Sequence, residues 1–162
     1  MPLLALGASD CEALRGGWLG QPVNALSSLA YVAAGVEVWR RGGPAPVAGA
    51  LAAVGVGSAL YHGPMPPGAE ALHDGSIVAL GAALAVAGLR GRLDRPATFT
   101  PWLLGGVAVT LNLLTRTGAP LCRPHSLLQG HAAWHVLTAA AVALWAGAGS
   151  RRGPRGGRAG HG

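Results

Sequence analysis

Three histidines, one aspartate and one serine interrupt otherwise apolar stretches of this chain at comparable depths. They are Ser58 and His62 in GVGSALYHGPMP, Asp74 in EALHDGSIVAL, and His131 and His135 in HAAWHVLTAA. Two His at i, i+4 share one helix face. With His62 as the third, they make a sufficient zinc ligand set. Zinc held by three imidazoles keeps a fourth position for water and lowers that water's pKa to about 7. Asp74, acceptor-only when ionised, can take a proton from the water and return it to a leaving amine. Ser58 can donate a hydrogen bond to an oxyanion. These are the parts of an amide or ester hydrolase.

Each residue also has a plainer reading. An isolated HxxxH pair equally suits two polar residues bonding across a helix interface. A third His and an Asp at the same depth are what favour the metal. Ser is common in membrane helix packing, and only the i−4 relation to His62 selects Ser58. His73 points about 100° away from Asp74 on a helix and reads as a supporting or interfacial group. Glu37 lies at the far end of its segment, where it snorkels or pairs with an Arg.

The elements that position these residues are apolar blocks. The chain has 162 residues, 51% hydrophobic and only 11% charged, where soluble domains carry about 25% charged residues. Five spans of near bilayer length emerge. They run from about Gln21 to Trp39, Pro44 to His62, Glu70 to Leu89, Ala97 to Leu114 and Leu127 to Ala148. The expected fold is therefore all-α, an integral membrane helical bundle of about five transmembrane helices. Residues 1–150 form this single domain. Residues 151–162 read as a disordered basic tail, and His161 within it is given no role. The opening MPLLALGAS lacks a charged n-region and does not read as a signal peptide.

A polar group inside a bilayer is costly, about 2.5–3.5 kcal/mol for a central Asp on insertion scales, and marks a functional site by default. The net charge of +6 comes entirely from arginines on the basic side. They lie between or after the apolar blocks, so they report topology rather than nucleic-acid binding. Alternation of the spans puts Arg40, Arg41, Arg90, Arg92, Arg95, Arg151, Arg152, Arg155 and Arg158 on one side. Arg15, Arg116 and Arg123 fall on the other. The Arg-rich side is cytoplasmic by the positive-inside rule, as in a bacterial inner membrane. The N-terminus is then outside and the C-terminus inside. All five candidate site residues fall in the outer half of the bundle, where one pocket can collect them.

In order along the chain, these motifs resemble those of the alkaline ceramidases. The wider superfamily of membrane hydrolases includes the adiponectin receptors and haemolysin III-like proteins. DCE at Asp10 to Glu12 and QPVNALSSLAY at Gln21 to Tyr31 are similar to the ceramidase start. Ser58 and His62 carry its Ser-x-x-x-His, Asp74 its Asp, and His131 and His135 its paired His. The resemblance implies zinc on the three His, with Asp74 and Ser58 assisting amide hydrolysis of a lipid substrate. Two departures stand out. Ceramidases have seven spans, whereas here one span replaces three between Asp74 and His131, which preserves parity but changes the walls. Eukaryotic ceramidases also build a calcium site from acidic residues near the N-terminus. Glu12 is present, but Gln21 stands where a Glu is expected, which removes a carboxylate that calcium favours.

Other classes remain as alternatives: a receptor-like or haemolysin III-like protein with little turnover, a metal-ion transporter, or a bis-His haem protein. A transport path calls for polar residues on both sides of the midplane, and here nearly all lie on one. His131 and His135 are too close on one helix to take opposite haem faces, although His62 with one of them could. By the span count Cys11 and Cys122 both lie outside, where conditions oxidise thiols. The ceramidase resemblance favours a bond between them over two free thiols. The oligomeric state is not legible.

Overall fold

In the computed structural model, residues 7–93 and 98–148 are described. Arg95 and the expected tail, with its arginines and His161, lie outside the described residues. Among those described the chain is all-α: α1 (Pro22–Ser27), α2 (Leu29–Arg40), α3 (Ala45–His62), α4 (Ala69–Leu89), α5 (Thr100–Thr115) and α6 (Gly130–Ala148). Pro22, Pro46 and Pro101 lie in the first turns of α1, α3 and α5. There a missing N–H costs nothing and φ is already helical.

Four of the five expected spans match single helices to within a few residues. The first is broken at Ser28 into α1 and α2. The Ser27 and Ser28 hydroxyls both donate to the Asn24 carbonyl, at 2.9 and 2.8 Å. Such back-bonding competes with the helical ladder and bends it. Among the described residues two helices, α3 and α4, are long and apolar enough to cross a membrane, and the apolar α5 is shorter.

The helices pack in the spatial order α4–α3–α2–α6–α5, with α1 wedged between α3 and α6. Close approach of α2 to α3 depends on Gly55, where a Cβ would stand 2.6 Å from Val32 Cγ2 and 3.0 Å from the Ser28 carbonyl. Gly57 does the same for α4, with a Cβ 3.1 Å from the Leu72 carbonyl. Toward the arginine-rich end the core is apolar: Tyr31, Val38, Val47, Leu51, Val54, Ala139 and Ala146 are buried together. Glu37 pairs there with Arg41 Nε at 2.6 Å, as expected for a carboxylate at that end.

At the opposite end a strap, residues 7–15, crosses the helix ends. A disulfide joins Cys11 to Cys122, with Cα atoms 5.6 Å apart. The bond that the resemblance favoured is present, and its geometry lies well inside the bridging limit. Backbone bonds from Ala13 N to the Pro124 carbonyl (2.9 Å) and from Thr117 N to the Ser9 carbonyl (3.0 Å) hold the strap to the α5–α6 loop.

Candidate metal centre

His62 ends α3, and His131 and His135 occupy the first two turns of α6. Their ring centroids are 4.9, 5.4 and 4.5 Å apart for the pairs 62–131, 62–135 and 131–135. One ring nitrogen from each lies within 4.8 Å of the other two. His62 and His135 are 0% and 2% exposed.

The second ring nitrogen of each is tied to oxygen. His62 Nδ1 meets Gln21 Oε1 at 2.7 Å. His131 Nδ1 meets Asn112 Oδ1 at 3.1 Å, with Asp10 Oδ1 at 3.6 Å. His135 Nδ1 meets Ser27 Oγ at 2.9 Å, and the Ser27 hydroxyl donates to the Asn24 carbonyl. Each of these partners offers an oxygen lone pair, an arrangement that suits the tautomer with the proton on Nδ1 and the lone pair on Nε2. The Nε2 atoms of His62 and His131 are buried without a hydrogen-bond partner. Orphaned buried polar atoms are costly in a low-polarity interior. A metal ion resolves both, and an oxygen acceptor behind each imidazole is how metal-binding histidines are oriented. The three histidines can hold a metal ion.

Of the five expected site residues, the structure brings four together. Ser58 is buried, with its Oγ 3.3 Å from His135 Nε2 and 2.9 Å from Ser28 Oγ. Asp74 is not gathered in. Its side chain is 69% exposed, and its Oδ1 accepts from His73 Nδ1 at 2.8 Å. His73 instead leans toward the centre. It stacks on Tyr61 at 4.6 Å, with its centroid 6.0 Å from that of His62.

Gln21, Asn112, Ser27 and Asp10 were not assigned to this centre from the sequence. A readable signal did exist for Asn112, a lone amide in the apolar run VAVTLNLL. Polar groups inside such runs are expensive and functional by default. Asp10 and Gln21 reach the centre only through tertiary folding. The N-terminal donors do not suit calcium. The Glu12 carboxylate accepts from Val23 N (2.9 Å) and Asn24 N (2.8 Å), capping α1. Gln21 points N–H donors, which bind no cation, at the strap.

Beside the centre lies a groove of about 520 Å³ between α5 and α6, lined mainly by Leu111, Leu127, Ala132, Ala133, Val136 and Leu137. Ser27, which holds His135, is also on its wall. Compared with known proteins, the chain matches no protein family, no curated protein and no solved structure.

Proposed function

We propose that this protein is an integral membrane, zinc-dependent hydrolase that cleaves an amide bond in a lipid. The observation that carries the reading is the convergence of three imidazoles, two buried and one half-buried, each with Nδ1 against an oxygen, while the Nε2 atoms of His62 and His131 have no hydrogen-bond partner. Three neutral nitrogen donors, one short of zinc's four-ligand set, suit zinc in a catalytic rather than a structural role. Bound there, zinc supplies Lewis acidity that polarises a carbonyl and makes water a nucleophile near neutral pH.

The chain's own groups supply the rest. Ser58 Oγ–H, beside His135, is placed to donate to the carbonyl oxygen as it gains charge. Asp74 takes the proton from the attacking water and delivers it to the leaving amine nitrogen. To do so its carboxylate must leave His73 and turn inward from the first turns of α4. Asp10, buried beside His131, steadies that imidazole. The groove between α5 and α6 accommodates an acyl chain next to the centre.

Membrane residence is supported by α4, a 21-residue helix that is apolar beyond Glu70, His73 and Asp74 in its first turns, yet only 11% of its most apolar stretch is buried. A core helix of a soluble protein would be mostly covered. Lipid covers such a helix at no cost. The arginines sort accordingly: Arg40, Arg41, Arg90 and Arg92 lie at the end opposite the metal centre, on the cytoplasmic side of the proposed topology.

A second reading is a receptor-like metal protein with little turnover. The outward-facing, exposed carboxylate of Asp74 favours it. One experiment separates the two. Protein purified in detergent is assayed for metal content and for fatty-acid release from a panel of N-acyl lipids. The hydrolase contains one zinc per chain, loses release on chelation and regains it with zinc. A zinc-loaded protein that releases nothing from any amide lipid supports the receptor-like reading instead.

A further inference from the structure

We propose that Gln21 is a positioning residue that couples the disulfide-closed N-terminal strap to metal ligand His62. The inference rests on the metal reading above and extends it to what sets the affinity of the site.

Gln21 is fully buried, and every polar atom of its side chain is committed. Its Nε2 donates to the carbonyls of Gly7 and Glu12, both at 2.8 Å. Two carbonyl partners accept only from an N–H, so the amide has one allowed orientation. Oε1 must then face His62, at 2.7 Å from Nδ1. An amide oxygen only accepts, so His62 Nδ1 must donate. That leaves His62 Nε2 unprotonated and aimed away from Gln21, among His131 and His135. The ligand state of His62 is therefore set by where two strap carbonyls stand.

The backbone makes the same link. Gln21 N donates to the His62 carbonyl at 2.7 Å, and Gly20 N to the Gly63 carbonyl at 2.9 Å. On the strap side, Gly7 N donates to Tyr61 Oη at 3.1 Å. Gly7 has φ +73°, and a Cβ there would meet Gln21 Oε1 at 2.5 Å. Only glycine brings this carbonyl within reach of the amide. Between Gly7 and Glu12, the strap carries Asp10 against His131 and Cys11 bonded to Cys122. One buried amide thus joins the strap, and through it the α5–α6 loop, to the end of α3.

Neither glutamate nor leucine reproduces both halves of this arrangement. A carboxylate still accepts from His62 Nδ1 but sets an anionic oxygen against two carbonyls. An alkyl side chain loses both contacts. The test uses the full chain in detergent with its disulfide intact, cobalt(II) as the spectroscopic probe, and Q21L and Q21E beside wild type. Cobalt affinity is read by competition with a chromophoric chelator, and coordination by the visible spectrum. Strap release is read as the rate at which dithiothreitol reduces Cys11–Cys122. Q21L is expected to bind cobalt roughly 10–100-fold more weakly, the usual loss when the group orienting a metal-bound histidine is removed, with an altered spectrum. Q21E is expected to keep the wild-type spectrum and an affinity within about 3-fold, well short of that loss, while its disulfide is reduced faster. Should Q21L not fold, Q21E carries the test alone through that split. Wild-type affinity in Q21L, weakened affinity in Q21E, or an unchanged reduction rate in Q21E would each overturn the coupling. Wild type that binds neither cobalt nor zinc would remove the metal reading itself, and the coupling with it.

Discussion

The central helices and the flanking helices of this bundle treat polarity in opposite ways. In α3, 44% of the apolar window is buried, against 11% in α4. The central helices α3 and α6 carry all three imidazoles and Ser58, each enclosed and oxygen-bonded. The flanks α4 and α5 contribute Asp74 and Asn112, and of these only Asn112 reaches one of the three clustered imidazoles, Asp74 being bonded to His73 instead. Enclosure turns a polar side chain into a fixed ligand, because a buried unpaired group is penalised until something satisfies it. A flank residue is free to choose solvent, headgroup or site. The centre is therefore pre-organised to hold an ion, while the group proposed to move protons sits where it can swing.

The hardest way to break this contrast is to remove a central ligand. His135→Ala and His62→Ala are each expected to abolish stoichiometric zinc, a larger loss than the roughly 10–100-fold that follows removal of a supporting group. Metal analysis of the purified variants checks it. A His135→Ala protein that keeps one tightly held zinc would mean that the convergence is only helix packing.

The catalytic pair gives the next largest effects, one residue from each region. Asp74→Asn is expected to keep zinc but lose nearly all turnover, about 10²–10⁴-fold for a lost general base. Ser58→Ala is expected to lose about 10²–10³-fold as an oxyanion donor, also with zinc retained. Rates on an N-acyl lipid that the wild type cleaves decide both. Full activity in Asp74→Asn would confine the chemistry to the central helices and remove the flank from it.

The same contrast explains what the sequence made legible. Apolar blocks of near bilayer length marked α3 as Pro44 to His62 and α4 as Glu70 to Leu89, within a residue of Ala45–His62 and Ala69–Leu89, although Glu70, His73 and Asp74 interrupt the first turns of α4. The three clustered histidines were legible because ionisable residues are rare in such runs. The break at Ser28 was not, because serines are ordinary in membrane helices and their pull on the Asn24 carbonyl is a local choice. The partners behind the imidazoles were hidden for a different reason. Gln21 and His62 are 41 residues apart, and His135 and Ser27 are 108 apart. No periodicity encodes such pairings. The outward turn of Asp74 toward His73 was not legible, because depth along a helix fixes height and not facing.

A charge on the flank sharpens the contrast from outside. Val78, on α4, is 71% exposed. If lipid covers it, Val78→Arg costs about 2.5–3.5 kcal/mol near the bilayer centre. If water covers it, the change stays within about 0.5 kcal/mol, as for ordinary surface positions. Insertion efficiency, or unfolding in mixed micelles, distinguishes the two. A cost near zero would make α4 a solvent-exposed helix and withdraw the membrane reading. A reporter that is active only outside the cytoplasm, fused after Gly162, is expected to stay silent in the same topology.

The smallest expected effect compares two contacts of nearly equal length. Arg41 Nε meets Glu37 Oε1 at 2.6 Å, and His62 Nδ1 meets Gln21 Oε1 at 2.7 Å. Distance alone ranks the first as stronger, since both of its partners are charged. Burial reverses the order. The Glu37 and Arg41 side chains are 38% and 36% exposed, so water and salt screen them, and exposed pairs at i, i+4 contribute about 0.3–0.5 kcal/mol. Glu37→Gln is therefore expected to shift unfolding by less than about 1 kcal/mol and to leave cobalt affinity unchanged, because the pair lies at the end of α2 remote from the imidazoles. Raising the salt concentration is expected to erase what difference remains, since screening acts on exposed charges first. If Glu37→Gln weakened cobalt binding as much as Gln21→Leu, the two ends of the bundle would be coupled through the core. The division between an enclosed, ligand-holding centre and a solvated arginine-rich end would then fail.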